Sequence, residues 1–170
     1  MRILLRLTLV SAFALLGVSC ACQPKTAGPP PTAPTKRVCK VRTTAYTHTE
    51  AGGPRNAIGT RLSAKNVQSA AADWSRWPLG TKFRIVGTDE VFQIDDYGSA
   101  LVGTGTIDLY KSNRLAMRKW GVRSVDIDVI EWGSKEKSLA VLKPRKKNRI
   151  VRRMILALAK DPAEMPLRKF

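Results

Sequence analysis

Asp73, Asp96 and Asp108 each stand at the edge of an apolar stretch. Asp73 follows Ala70-Ala71-Ala72. Asp96 closes the run from Val91 to Asp95. Asp108 lies inside Thr106-Ile107-Asp108-Leu109-Tyr110. A carboxyl in such a place loses part of its hydration, and clustered carboxylates raise one another's pKa. A carboxylic acid still protonated near neutral pH can donate to a leaving oxygen. That is the requirement for cleaving a glycosidic bond. The alternative is that Asp73 and Asp96 cap backbone groups in turns while Asp108 faces solvent.

Other catalytic chemistries have little to work with. The chain has one histidine, His48, in a glycine-rich stretch. This excludes multi-histidine metal sites and leaves Ser-His-Asp and Cys-His catalysis weak candidates. His48 is expected to be solvated. The three cysteines, Cys20, Cys22 and Cys39, are too few and too clustered for a disulfide framework or a zinc site. Cys39 is expected to be a small buried hydrophobe in a strand. No metal and no cofactor is expected.

The 170 residues are enough for one domain with appendages. Lys and Arg number 30 against 13 Asp and Glu, a net charge of +17. Such a surplus points to an anionic partner: nucleic acid, a membrane surface or an anionic wall polymer. Residues 134–170 alone carry twelve basic and three acidic residues, a net of +9. Most of the charge is therefore an appendage, which argues against the core being a nucleic-acid reader.

Residues 1–22 have the three parts of an export signal: Arg2 and Arg6, an apolar run from Leu7 to Val18, then small residues. The run is too short to span a membrane comfortably. Gly17-Val18-Ser19-Cys20 resembles a lipobox, with Cys20 the lipidated residue; ordinary cleavage after Ala21 is the rival. A lipidated product would be anchored at a membrane of the cell envelope or periplasm, the outer membrane in a Gram-negative cell. Residues 23–37 hold five prolines and no large apolar side chain, so they read as an extended tether.

The elements that must position the aspartates lie in residues 38–133. Strands are expected at Val38–Thr47, Ala70–Ala72, Lys82–Val86, Val91–Asp95, Thr106–Tyr110 and Ser124–Trp132. Residues 48–62 read as a long loop, and Trp77-Pro78-Leu79-Gly80 as a turn. Ser112 looks like a helix N-cap and Gly121 like the residue past its end, with RLAMRKW between. Six short strands and one short helix predict a mainly β, small closed barrel. In the basic tail of 134–170, apolar residues recur at helical spacing over 149–160, opposite Arg149, Arg152 and Arg153. That C-terminal amphipathic helix either docks on the barrel or lies on an anionic membrane or wall polymer.

Several motifs together resemble the three-aspartate ("3D") domain found at the C-terminal end of membrane-bound lytic transglycosylase A and in stationary-phase-survival-like wall proteins. They are Thr44-Ala45-Tyr46, Ile58-Gly59-Thr60, Ala71-Ala72-Asp73, Pro78-Leu79-Gly80-Thr81, Asp96-Tyr97-Gly98, Ile107-Asp108-Leu109-Tyr110 and Trp120-Gly121-Val122-Arg123. The resemblance implies a double-psi β-barrel, with Asp73, Asp96 and Asp108 as the three aspartates. It implies lytic transglycosylase chemistry on peptidoglycan glycan strands, in a monomer, with Asp96 as a single acid/base. Asp108 and Asp73 would tune Asp96 and orient sugar hydroxyls. Tyr46 would stack on a sugar or serve as core, Gly98 would permit close approach or a tight bend, and Thr60 would line the binding site. The rare lipoprotein A proteins, with the same barrel type, carry Ala-Ala-His and Asp-Arg-Gly instead. Here Asp73 replaces that histidine and Tyr97 that arginine.

The family's usual Asp-Thr-Gly is Asp96-Tyr97-Gly98 here, and its usual Ile-Lys-Gly is Leu101-Val102-Gly103. These departures open a second expectation: a glycan-binding wall module that kept the barrel and lost the chemistry. The first expectation is an enzyme.

Overall fold

Short alternating segments bounded by glycine and proline cannot stand alone as strands; they must pair to satisfy their backbone groups. The computed structural model, which describes residues 36–50 and 52–160, pairs them into a ring. The strands are β1 (Lys36–Tyr46), β2 (Val67–Ala71), β3 (Lys82–Ile85), β4 (Val91–Asp96), β5 (Ile107–Tyr110) and β6 (Arg123–Glu131). They close in the order β1-β5-β2-β4-β3-β6, with β6 returning to β1. Two pairs are parallel, β1 with β5 and β2 with β4; the rest are antiparallel. This is the mainly β, closed six-stranded barrel expected from the sequence. Closure leaves no open sheet edge.

The barrel interior is filled by Val41, Ala70, Phe83, Ile85, Phe92, Ile94, Ile107, Leu109, Ile127 and Val129. Phe83 and Phe92 stack at 5.6 Å between ring centres. Helix α1 (Arg114–Trp120) has the boundaries that its sequence announces. Its N-cap is Asn113 rather than Ser112, because the Asn113 side chain accepts from the Ala116 N–H. Gly121, at φ +62°, ends it as expected.

The structure corrects four local expectations. The tether does not extend to residue 37: Lys36 and Arg37 already pair with Val129 and Asp128 in β6. Arg37 also bridges Asp128 at 2.7 Å. Cys39 is exposed, not buried. Its place next to inward-facing Val38 turns it outward, and a bulge between Val38 and Val41, with Lys40 at φ +55°, then interrupts the alternation and turns Lys40 outward too. His48 is exposed yet not merely solvated, since its Nδ1 lies 3.0 Å from the Tyr110 hydroxyl. An additional helix, α2 (Lys135–Leu142), follows the barrel. KEKSLAVL lacks a helical apolar stripe, so only its Ser134 N-cap announces it.

Helix α3 (Arg149–Ala159) occupies the predicted segment and docks. Its Val151, Met154 and Leu158 join Leu142 of α2 in the same core cluster as the barrel. The Pro78–Thr81 turn grips the start of this segment. Leu79 N–H donates to Ser138 Oγ at 2.9 Å, and Ser134 N–H donates to Leu79 O at 3.0 Å. Gly133 is required between them: a Cβ there would overlap the carbonyls of Pro78 and Leu79. Among the described residues no helix is long and apolar enough to cross a membrane. The export signal of 1–22, Cys20 and all but Lys36 and Arg37 of the 23–37 tether lie outside the described residues.

Docking of α3 predicts an asymmetric response to truncation. Met154→Ala should lower the unfolding free energy by about 2–5 kcal/mol in urea titrations followed by circular dichroism. Leu156→Ala, on the face that is 66% exposed, should cost less than about 0.5 kcal/mol. Equal, small effects would mean that α3 does not rest on the barrel.

Candidate functional site

Strand β2 lies between β4 and β5, and Ala71 is opposite both Asp96 and Asp108. Residues directly opposite in a sheet point to the same side. Ala70, with Ile94 and Leu109 as its partners, points into the barrel, so Ala71, Asp96 and Asp108 point outward. Thr44 and Tyr46, aligned with Asp108 and Tyr110, share that outer face. Asp96 and Asp108 thus flank a residue with almost no side chain, at about 10 Å between their strands. They are neighbours across a shallow floor, not a contacting pair.

A bulge aims Asp96. Pairing runs Ala70 with Ile94 and then Ala71 with Asp96, leaving Asp95 as the extra residue. Without it Asp96 would follow Phe92 and Ile94 into the apolar interior. Asp95 is buried and bound by neutral donors: its Oδ2 accepts from Ser69 Oγ at 2.6 Å and from Asn56 Nδ2 at 2.9 Å. Its Oδ1 is buried with no hydrogen-bond partner among the described residues. Loss of hydration pushes the Asp95 carboxyl above its usual range, opposed by those hydrogen bonds.

Asp96 is half-buried. Its Oδ1 accepts from the N–H groups of Ala57 and Tyr97, both at 2.9 Å. Its Oδ2 has no hydrogen-bond partner among the described residues and is not a sealed atom. Burial raises its pKa to about 6; the charge of Asp95 adds to this, while the two N–H bonds and the Arg145 guanidinium oppose it. Behind it, Trp74 Nε1 donates to Asp96 O at 2.8 Å, fixing the end of β4. Asp108 accepts from Thr44 Oγ1 at 2.6 Å. Burial also raises Asp108, the Thr44 hydroxyl opposes the rise, and the charge of Glu50 adds to it.

The remaining expected residues take different places. Asp73 is buried with both oxygens engaged. Oδ1 accepts from Ser75 N and Oγ, and Oδ2 accepts from Gly103 N at 2.7 Å. It ties the 73–77 turn to the 98–104 loop rather than presenting a free oxygen. The Tyr46 ring meets Tyr110 in an edge-type contact, 5.6 Å between centres. Its hydroxyl is buried and unpartnered among the described residues. Burial and the charges of Asp96, Asp95 and Asp108 hold that phenol far above its ordinary pKa, so it stays a donor. Thr60 is one step removed: its N–H and Oγ1 hold the Asn56 side chain that in turn binds Asp95. Gly98 has an ordinary backbone, and a Cβ there would just touch Leu101.

Asn56, Ser69 and Arg145 are parts of the site that sequence reasoning missed. Asn56 and Ser69 look like ordinary loop and strand residues, and only the bulge brings Asp95 to them. Two cavities, of about 350 and 550 Å³, lie beside Trp77 and Trp132 and beside Lys111 and Trp120; none of the three expected aspartates lines either. Asp96 and Asp108 are half-buried on the outer face of the barrel.

No protein-family model and no curated protein matches this sequence.

The raised carboxyl gives a pH-dependent stability. Asp96 binds a proton more tightly in the folded chain, at about 6 against an unfolded value near 3.9, so stability falls as pH rises through that window. A shift of this size is worth at most about 3 kcal/mol, and solvent at the half-buried group reduces it. Asp96→Asn should therefore stabilise the protein by about 1–2 kcal/mol at pH 8 and leave it unchanged at pH 4. Chemical denaturation at both values checks this. Equal midpoints at pH 8 would show that Asp96 is not raised.

Proposed function

We propose that this protein is an exported lytic transglycosylase-like enzyme acting on glycosidic bonds of peptidoglycan, with Asp96 as its acid/base. The observation that supports this most is the state of Asp96. One oxygen is saturated by two backbone N–H groups, the other is open, and the pKa is about 6. Such a group is protonated often enough to act as an acid near neutrality and basic enough to take a proton back.

The reaction needs both. Asp96 gives its proton to the oxygen leaving the anomeric carbon of muramic acid. The resulting carboxylate then takes the proton of that sugar's 6-hydroxyl, whose oxygen attacks the anomeric carbon and closes a 1,6-anhydro ring. Water is not consumed. Asp108, with one oxygen on Thr44 and the other open, would stabilise positive charge developing at the sugar. Asp73 would act only by holding the 98–104 loop. The N-terminal pattern supports export and membrane attachment through Cys20, and the basic surplus supports an anionic surface at the wall. The exposed cations of α3 would favour that anionic surface.

One observation favours the second reading, a wall-binding module without chemistry. The Tyr97 ring stands edge-on to Trp74 at 5.1 Å and its hydroxyl accepts from Arg145 at 3.3 Å. A phenol held by both stands next to the acid in the chain, where the resembled family carries a threonine.

Incubation of the full-length protein with sacculi separates the two. Mass spectrometry should find muropeptides one water lighter than hydrolytic products. Asp96→Asn should lower their rate about 10²–10⁴-fold, and the wild-type rate should fall as pH rises above about 6, where the acid form is lost. Co-sedimentation with sacculi without any release would sink the enzyme reading and support the binding module.

A further inference from the structure

Arg145 ends the short 3-10 turn Lys143–Arg145 between α2 and α3. Its Nη2 donates to Ala57 O at 2.8 Å, and its Nη1 donates to the Tyr97 hydroxyl at 3.3 Å. Ala57 and Tyr97 are the two residues whose N–H groups hold Oδ1 of Asp96. One guanidinium thus links both halves of that grip, from 88 and 48 positions away in the chain. The segment that carries it is anchored by Leu142, Val151 and Met154 in the core. The turn is therefore held on both sides by packed helices, and the arginine is delivered from a rigid base.

We propose that Arg145 is a positioning residue for Asp96: it clamps the Ala57 loop to the Tyr97 side chain and places a cation beside a carboxyl set among acidic neighbours. Asp95 on β4 acts on Asp96 directly, Tyr46 on β1 lies within reach of Asp95, Asp96 and Asp108, and Glu50 acts on Asp108 of β5. The cation opposes the upward pull of burial and of Asp95, keeping Asp96 able to lose its proton as well as to give it. The planar fork matters, because a lysine ammonium is a point charge that cannot bridge two acceptors in fixed directions. The C-terminal segment is in this sense part of the site. The inference deepens the acid/base reading of Asp96 and rests on it for its catalytic meaning.

The test needs no substrate. The Asp96 carboxyl is titrated by carbon NMR in full-length wild-type, Arg145→Gln and Arg145→Lys proteins, with amide exchange of Ala57 and Tyr97 followed alongside. Circular dichroism confirms that each is folded. In Arg145→Gln the Asp96 midpoint should rise by about half a unit, and exchange at both amides should quicken about tenfold. In Arg145→Lys the midpoint should stay near wild type while exchange still quickens, which separates the charge from the clamp. An unchanged midpoint and unchanged exchange in a folded Arg145→Gln protein would overturn the proposal. Should that variant fail to fold, unchanged exchange in Arg145→Lys overturns it. A sacculus digest that releases nothing would sink the transglycosylase reading and leave this result standing.

Discussion

Everything at the candidate site depends on one extra residue in β4. A regular strand would send Phe92, Ile94 and Asp96 to the same side, and that side is the barrel interior. A carboxylate there would have no donors and no water, at a cost of several kcal/mol. The bulge at Asp95 resolves the conflict by stepping the register once. Asp96 then lands opposite Ala71 on the outer face, and Asp95 meets Ser69 and Asn56. The loop that supplies Asn56 also supplies the Ala57 N–H, so burial of one aspartate and aiming of the other share a single support.

The electrostatics of this face run against the composition. A chain with a net charge of +17 could have neutralised each aspartate with a lysine or arginine. The ion pairs of the described residues are elsewhere: Arg37–Asp128, Lys82–Glu131 and Lys111–Glu90. Asp95, Asp96 and Asp108 are held by hydroxyls, an amide and backbone N–H groups instead. Neutral donors fix geometry without strongly favouring the ionised form, so burial dominates and all three carboxyls are raised. Such an arrangement lowers stability at neutral pH, a cost that a purely structural carboxylate has no reason to bear.

The C-terminal segment extends the barrel more than it trails from it. The Pro78–Thr81 turn receives Ser134 and Ser138, Gly133 makes the close approach, and the apolar stripe of α3 completes the core. Arg153 of α3 lies against Gly103, whose N–H binds Asp73, while Arg145 reaches Ala57 and Tyr97. The positive surplus of residues 134–170 therefore has two uses. Two of its arginines touch the loops around the carboxylates, while Lys143, Lys146, Lys147, Arg149 and Arg152 are exposed.

Local rules made much of this legible. Alternation and turn residues placed six strands within a few positions of where they lie, because a half-buried strand must show its period in its own side chains. RLAMRKW between a polar cap and Gly121 delimited α1, and the stripe over 149–160 delimited α3. Apolar flanks marked Asp96 and Asp108 as desolvated carboxyls. Helix α2 stayed hidden because KEKSLAVL has no stripe and is held by hydrogen bonds to a distant turn. Cys39 was misplaced because its burial was judged from residue type, while its place next to inward-facing Val38 turns it outward. Tertiary structure alone decided the rest. It buried the Tyr46 hydroxyl, tied Asp73 to a loop, recruited Asn56 and Ser69 to Asp95, and brought Arg145 to the residues that hold Asp96. Each of these depends on which strands become neighbours and where the register steps, and no period within a single segment records a partner dozens of residues away.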